Sequence, residues 1–390
     1  MNVLSSAKRY QMTKIILATR NTSLWPEFGG SIWVRLQYML GFQKLGFETF
    51  WVDRLKKVDS KAHPHSIDYL VKRFDHTAQE FGFKDNYCII YDNGNHHYGM
   101  SKQELIDVIS DAGLLVNISG YMPKNSPLRA IPRRAYIDVD PGFTQMWAHQ
   151  WDMGISSHNF YFTTGQNVRS SEFKIPLKEI DWNPIIPPVV LDQWTPHIDE
   201  SSKSFTTVAD WRSSQVAEFA GVKYGTKRLE FKRFMFLPMR TNQTIELALL
   251  ISPYDYEDIK TLINNNWMLK DPILYSGDPH SYRQFIQNSR GEFSVAKHGY
   301  VSSYSGWVSD RTACYLASGK PALVQSTGFE SFLPTGQGLL TFSTIDEAVD
   351  GFDAINSNYL SHCHAARHLA EKYFNSDRIL NNILEIVGLH

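Results

Sequence analysis

Apolar runs of strand length alternate with amphipathic stretches of helix length almost from one end of the chain to the other. That alternation builds βαβ units and parallel sheets rather than a sandwich or a bundle. In the first half the runs Lys14–Thr19, Thr49–Asp53, Tyr87–Asp92, Leu114–Ser119, Arg134–Asp138 and Asn159–Thr163 read as strands. Ile32, Leu36, Met39 and Leu40 then recur at helical spacing, and Ser101 with Glu104 makes a capping box ahead of Leu105, Ile106, Val108 and Ile109.

Between Asp181 and Glu200 four prolines interrupt the pattern, and proline sits inside neither a helix nor a central strand. This stretch reads as an interdomain connection. Beyond it strands are predicted at Phe205–Ala209, Ile245–Ile251, Phe293–Ala296, Ala322–Gln325 and Leu339–Phe342. Helices are predicted from Lys227 to Phe236, over Tyr256–Asn264, after the Asp278-Pro279 cap, and over Ile345–Ile355 behind a Thr344/Glu347 box. The stretch from His362 to Val387 is helical by pattern, with a break near Asn375–Ser376. The expectation is an α/β protein with a doubly wound domain over 1–185, a linker over 186–200, a second doubly wound domain over 201–360 and helices over 361–390. Ligands bind such sheets at the carboxyl ends of their strands, so the site is expected in the cleft between the two.

The length fits this division, since 390 residues exceed what one hydrophobic core usually organises. With a formal net charge of -1 the chain has no basic excess, which makes a nucleic-acid partner unlikely. The first residues lack a signal-peptide core, and no stretch reaches the roughly 18–20 apolar residues that span a bilayer, so a cytoplasmic protein without a membrane partner is expected. Cys88, Cys314 and Cys363 are too scattered for a disulfide framework or a zinc site and read as buried thiols. No metal and no organic cofactor is expected; a Walker loop, a GxSxG elbow and an HExxH helix are all lacking.

The candidate chemistry lies at predicted strand ends. Gly29 and Gly30 let the chain turn tightly into the first helix, as a pocket-forming loop or as a plain βα turn. In the segment Glu292–Pro321 a strand ends at Lys297, the loop YVSSYSGW follows, and Ser309 or Asp310 caps a helix that stops at Gly319. Such a loop offers amides and a helix dipole to a diphosphate, with Asp310 for ribose hydroxyls and Arg311 and Lys297 for phosphate charge. Asp310 as an ordinary cap and Arg311 as a solvated residue are the competing readings. Arg212, just past a strand end, and Lys227, at a helix start, are candidates for holding a departing diphosphate, although a charged helix face also accounts for Lys227. Asp138 and Asp140 bracket a strand end and are the catalytic acid/base candidates together with Glu27, His96, His97 and His149; before Pro141-Gly142, Asp140 also reads as a turn residue.

The stretches GGSIWVRLQYMLGFQKLGFETFWVDRL and SGWVSDRTACYLASGKPALVQSTGFESFLPTGQGLLTFSTIDEAVDGF resemble GT-B glycosyltransferases: the first resembles their opening strand-helix unit, the second their donor-binding region. Most of the chain is similar to bacterial glycosyltransferases of the group 1 kind. The resemblance implies two Rossmann-like domains facing a cleft with C-terminal helices crossing back, a nucleotide-sugar co-substrate and a small-molecule or other hydroxyl or amine acceptor. It places the donor at Ser305, Gly306, Trp307, Asp310 and Arg311, Lys297 in the cleft, and Trp211-Arg212 in the first donor-domain loop. Where many retaining members carry a ribose-binding glutamate this chain has Cys314, and Asp310, one turn earlier on the same helix face, is the expected substitute. A sugar-nucleotide epimerase or hydrolase, a non-catalytic sugar-nucleotide binder and a transferase acting on nucleic acid are the alternatives.

Overall fold

The structure, a computed structural model, describes residues 12–59, 63–212 and 216–389. The leader-free reading of residues 1–11 lies outside them. The first half contributes strands β1 (Lys14–Arg20), β2 (Glu48–Leu55), β3 (Tyr87–Tyr91), β4 (His96–Gly99), β5 (Ala112–Ile118), β6 (Arg134–Asp138), β7 (Phe160–Thr163) and β8 (Asn183–Pro184). They form one sheet in the order β4-β3-β2-β1-β5-β6-β7-β8, parallel except where β4 runs against β3. The second half contributes β9 (Ser204–Asp210), a hairpin of β10 (Ala217–Phe219) and β11 (Val222–Tyr224), then β12 (Thr244–Leu250), β13 (Met268–Lys270), β14 (Gly291–Ser294), β15 (Ala322–Gln325) and β16 (Leu339–Phe342). Apart from the hairpin these pair in the order β13-β12-β9-β14-β15-β16, all parallel. In both sheets the strand order reverses beside the first strand, which is the doubly wound arrangement with its binding crevice at the switch point.

The helices of the first half are α1 (Gly29–Lys44), α2 (Ile67–Glu80), α3 (Lys102–Asp111) and α4 (Phe143–Gln150); those of the second are α5 (Lys227–Phe231), α6 (Tyr256–Asn264), α7 (Pro272–Ser276), α8 (Pro279–Gln287), α9 (His298–Ser302), α10 (Asp310–Ala317), α11 (Ile345–Ser357), α12 (Tyr359–Leu369) and α13 (Ser376–Ile386). Both expected capping boxes form: Ser101 Oγ accepts from the Glu104 amide and Thr344 Oγ1 from the Glu347 amide. The helix expected from Lys227 to Phe236 stops at Phe231 and continues as 3₁₀ turns into Pro238, whose ring excludes a regular helix. Strand β4 is a short edge strand of polar residues and carries no apolar signature.

The chain crosses between its halves at two places that pack on one another. Residues 186–200 are not a free tether: Val189, Val190 and Trp194 are buried, and Val189 exchanges backbone hydrogen bonds with Phe374 and Ser376. From there α13 runs back onto α1, where Gly41 lets Leu380 and Ser376 approach the helix backbone. One core cluster therefore joins Ile15, Leu17 and Trp33 of the first half with Leu380, Ile383 and Leu384 of the last helix. Among the described residues, no helix is long and apolar enough to cross a membrane.

Candidate functional site

The two sheets bring the start of α1, the end of β6, the end of β9 and the starts of α5, α9 and α10 around one cavity of about 280 Å³. Gly29 seats α1 there. A Cβ on Gly29 would collide with the Asp278 carbonyl and stand 2.8 Å from that of Ser276, so only glycine lets α1 abut the α7–α8 corner. The Trp33 indole then donates to the Pro279 carbonyl at 2.8 Å. Gly30 lies in the cavity wall, where a Cβ would press on the Tyr282 ring at 2.8 Å.

Asp140 crosses the cleft. Its carboxylate accepts from Lys297 Nζ at 2.6 Å and from the Tyr300 hydroxyl, both on the second half. It also occupies the turn read from Pro141-Gly142: its carbonyl accepts from the Thr144 amide, and Gly142 has φ +86°. Burial alone would raise this carboxyl, but Lys297 and the Tyr300 hydrogen bond outweigh it and hold the group below the ordinary carboxylate value. The Lys297 ammonium lies 5.2 Å from the Tyr300 ring centre and 5.5 Å from that of Phe143, and Trp307 packs on Tyr300 at 4.3 Å. Asp138 is fully buried, and it accepts from Thr144 Oγ1, Gln145 Nε2, Thr163 Oγ1 and the Asp140 amide. It lies behind the cavity and fixes the turn that presents Asp140.

Cations crowd this space. Lys227 is buried in the wall, donates to the Val295 carbonyl, and is held well below its ordinary value by burial and by the charges of Arg311 and Lys297. Arg311 also lines the cavity, but its guanidinium is committed to Glu292 Oε1 at 2.8 Å, the Val208 carbonyl at 2.9 Å and Ser294 Oγ at 2.5 Å. Arg35, one and a half turns into α1, is a residue that sequence reading missed. It donates to the Ser31 carbonyl at 2.9 Å and to Ser31 Oγ at 3.0 Å, leaves Nε without a partner, and makes no ion pair among the described residues. Burial lowers its pKa against the opposing pull of Asp53, Asp310 and Asp140. Asp310 faces the same cavity, its carboxyl raised by burial in spite of Arg311, while Ser309 caps α10 by accepting from the Arg311 amide at 3.2 Å.

The other expected residues go elsewhere. Arg212 chelates the Asp255 carboxylate at 2.8 and 3.0 Å, outside the cavity. Ser305 and Gly306 do not offer free amides to it: the Gly306 N–H donates to the Thr327 carbonyl at 2.8 Å, and Ser305 is buried with its carbonyl accepting from the Asn167 amide at 3.1 Å. They join the loop after β7 to the second half, with Gly165 bridging Trp307. Trp307 alone of the three reaches the cavity wall. Cys314 is buried beneath, 3.7 Å from Gln37 Nε2. Glu27 pairs with His65 at 2.7 Å beside a second recess. His96 and His97 lie on β4, and His149 packs on Phe219.

The second recess, of about 190 Å³, adjoins the cavity through Gly30, Val208, Ala209 and Asp210 and is lined mainly by apolar groups including Phe28, Leu250, Pro272 and Ile273. Together the two spaces offer an apolar slot continuous with a chamber lined by Arg35, Lys227, Lys297 and Arg311 and by the carboxylates of Asp140, Asp210 and Asp310. No group of three side chains able to hold a metal occurs among the described residues.

No family model and no curated protein matches the sequence. Among solved structures the chain is similar to an alpha-glucosyltransferase in complex with UDP-glucose and DNA containing an abasic site (TM-score 0.62, 10% identity, 97% of this chain and 100% of that one). It is also similar to TarM (TM-score 0.57, 10% identity, 97% and 99% covered) and to HepE of Anabaena in complex with UDP and glucose (TM-score 0.57, 10% identity, 96% and 99% covered). At this identity the likeness is one of fold: the chain has the GT-B arrangement of two Rossmann-like domains over the 97% of its length that the likeness covers.

Proposed function

We propose that the protein is a glycosyltransferase that moves a sugar from a nucleoside diphosphate sugar to an acceptor bound on the first half. The nucleoside lies in the apolar recess, where its flat base meets Phe28, Leu250 and Ile273, and Asp310 stands within the chamber as the ribose acceptor in place of the glutamate that Cys314 replaces. The observation that carries this reading is the convergence of Arg35, Lys227, Lys297 and Arg311 on one chamber, where Lys297 and Arg311 alone of the four are paired with carboxylates among the described residues. Arg35 and Lys227 make no ion pair among the described residues, and the charges of Arg311 and Lys297 bear on Lys227. A diphosphate supplies the missing charge, and it gains more of it as the bond to the sugar breaks, so cations held there in advance favour the transition state over the bound donor. In this reading the neutralisation falls to side chains rather than to a metal. Asp140 keeps Lys297 and Tyr300 in place across the cleft, and Asp138 acts through Asp140 as a positioning residue.

UDP or UDP-sugar complexes among the fold neighbours support a uridine donor, and the narrower group 1 kinship is part of the same proposal. The neutral charge balance made nucleic acid an unlikely acceptor, but that argument does not hold for this fold: several neighbours are complexes with DNA. A hydroxyl on DNA therefore stands beside small-molecule acceptors as a second reading. The test is a melting-temperature screen across nucleoside diphosphates and their sugars, repeated on Arg35→Gln. A true donor at about a hundredfold its Kd stabilises the fold by about 2.7 kcal/mol, and the variant is expected to lose most of that. If no nucleotide shifts the parent, or the variant shifts as much, the reading is wrong. Release of free sugar or of an epimer without acceptor would instead assign a hydrolase or an epimerase.

A further inference from the structure

A second group of cations lies at the carboxyl edge of the first sheet, outside the cavity. Arg20 ends β1 and is in register with Arg54 near the end of β2. Parallel strands in register turn such residues to the same face. That face is the one on which Ile16, Ala18, Phe50 and Val52 pack, opposite to α1. Tyr121, following β5 on the other side of β1, covers the pair: the Arg20 guanidinium lies 6.0 Å from its ring centre and Arg54 donates to its carbonyl.

Neither arginine makes an ion pair among the described residues. Asp53, next to Arg54, turns to the opposite face, where Thr19 Oγ1, Ser23 Oγ and the amides of Thr22 and Ser23 all donate to it. Two guanidiniums side by side without a counter-ion repel one another, and burial together with the Arg20 charge lowers the Arg54 pKa. A fold retains such a pair at a cost in stability unless an anion offsets it. The β6 end that carries Asp140 is two strands from Arg20 and three from Arg54, at about 5 Å per strand, so the pair is about 10–15 Å from the cleft wall on the acceptor half. The two regions are directly linked, since the Val139 amide donates to Ser119 Oγ at 3.1 Å in the loop that leads to Tyr121.

We propose that Arg20, Arg54 and Tyr121 form an anion subsite that takes one phosphoryl group carried by the acceptor. Two planar guanidiniums match the charge and the oxygen spacing of a single phosphate. As an acceptor subsite the cluster rests on the transferase reading; as an anion site it stands alone.

The full chain is titrated with glycerol 3-phosphate and, separately, with a short single-stranded oligodeoxynucleotide, each with and without saturating UDP. A phosphomonoester acceptor and a phosphodiester acceptor predict binding of the first and second probe respectively. Arg20→Gln and Arg54→Gln are each expected to weaken the bound probe about tenfold and the double variant about a hundredfold, with UDP affinity unchanged. Arg54→Lys, which keeps the charge, should bind it more tightly than Arg54→Gln. The proposal is overturned if neither probe binds at millimolar concentration, if UDP displaces the probe, if the double variant binds as the parent does, or if Arg54→Lys is no better than Arg54→Gln. Failure of UDP to bind the parent would remove the donor reading alone, because the titrations without UDP still decide the anion site.

Discussion

Lys320 gives a stability measurement that tests the physical reasoning used throughout. It sits between Gly319, whose φ of +68° ends α10, and Pro321 ahead of β15. Its side chain is fully buried and its ammonium has no hydrogen-bond partner among the described residues. Burial is the main cause of a pKa lowered from 10.5 to about 8, partly opposed by Cys363 and Asp199. The gap between those values corresponds to about 3 kcal/mol against the charged form. The folded chain holds this proton less tightly than the unfolded chain, so the unfolded chain binds more protons between the two values, and the stability of the parent rises with pH through that window. Lys320→Met keeps the aliphatic stem and removes the charge. It should stabilise the protein by about 3 kcal/mol at neutral pH, by about half as much near pH 9.5, and by almost nothing at about pH 11. Urea midpoints followed by tryptophan fluorescence across that range measure the difference. An equal or less stable variant at neutral pH, or an advantage that does not shrink with rising pH, would refute the reasoning.

Three further outcomes are expected. Gly29→Ala should cost about 1–3 kcal/mol, because the new methyl meets backbone on two sides where α1 abuts the α7–α8 corner; an unchanged urea midpoint would show that this contact yields freely. UDP binding should take up protons, since an anion beside Lys227 opposes the burial and the like charges that lower its pKa. Calorimetry in buffers of different ionisation heat reads this directly, and proton release would place the nucleotide elsewhere. Cys88, Cys314 and Cys363 are buried, and burial raises all three thiols, Cys88 to about 12. A thiol reagent should therefore label them only in denaturant, and rapid labelling of the folded protein would contradict the packing.

Much of the architecture was legible because a parallel strand covered on both faces must be apolar throughout. Ile15–Leu17, Leu114–Val116 and Leu323–Val324 announce themselves this way. The helix starts were equally plain where a cap and its reciprocal partner are three residues apart, as in Ser101/Glu104. What escaped were elements with little to bury: β4, which is polar along the sheet edge, and the three-residue strands β10, β11 and β13. In the site, the strand-end rule reached Asp140 and Lys297 but not their shared neighbour Tyr300, which is 160 residues from Asp140. Arg35 looks like any solvent-facing helix residue until the second half closes over it. That Arg212 turns to Asp255 was hidden for the same reason, since the two are 43 residues apart and nothing local signals the pair.

The return of α13 to α1 also sets the order in which this chain becomes stable during synthesis. The apolar layer beneath the first sheet includes Leu380, Ile383 and Leu384, so the half that is made first stays open on that side until α13, made after the whole second sheet, arrives to cover it. A nascent chain halted after β16 would display the exposed flank of α1, a sticky surface that chaperones recognise and that the finished molecule hides.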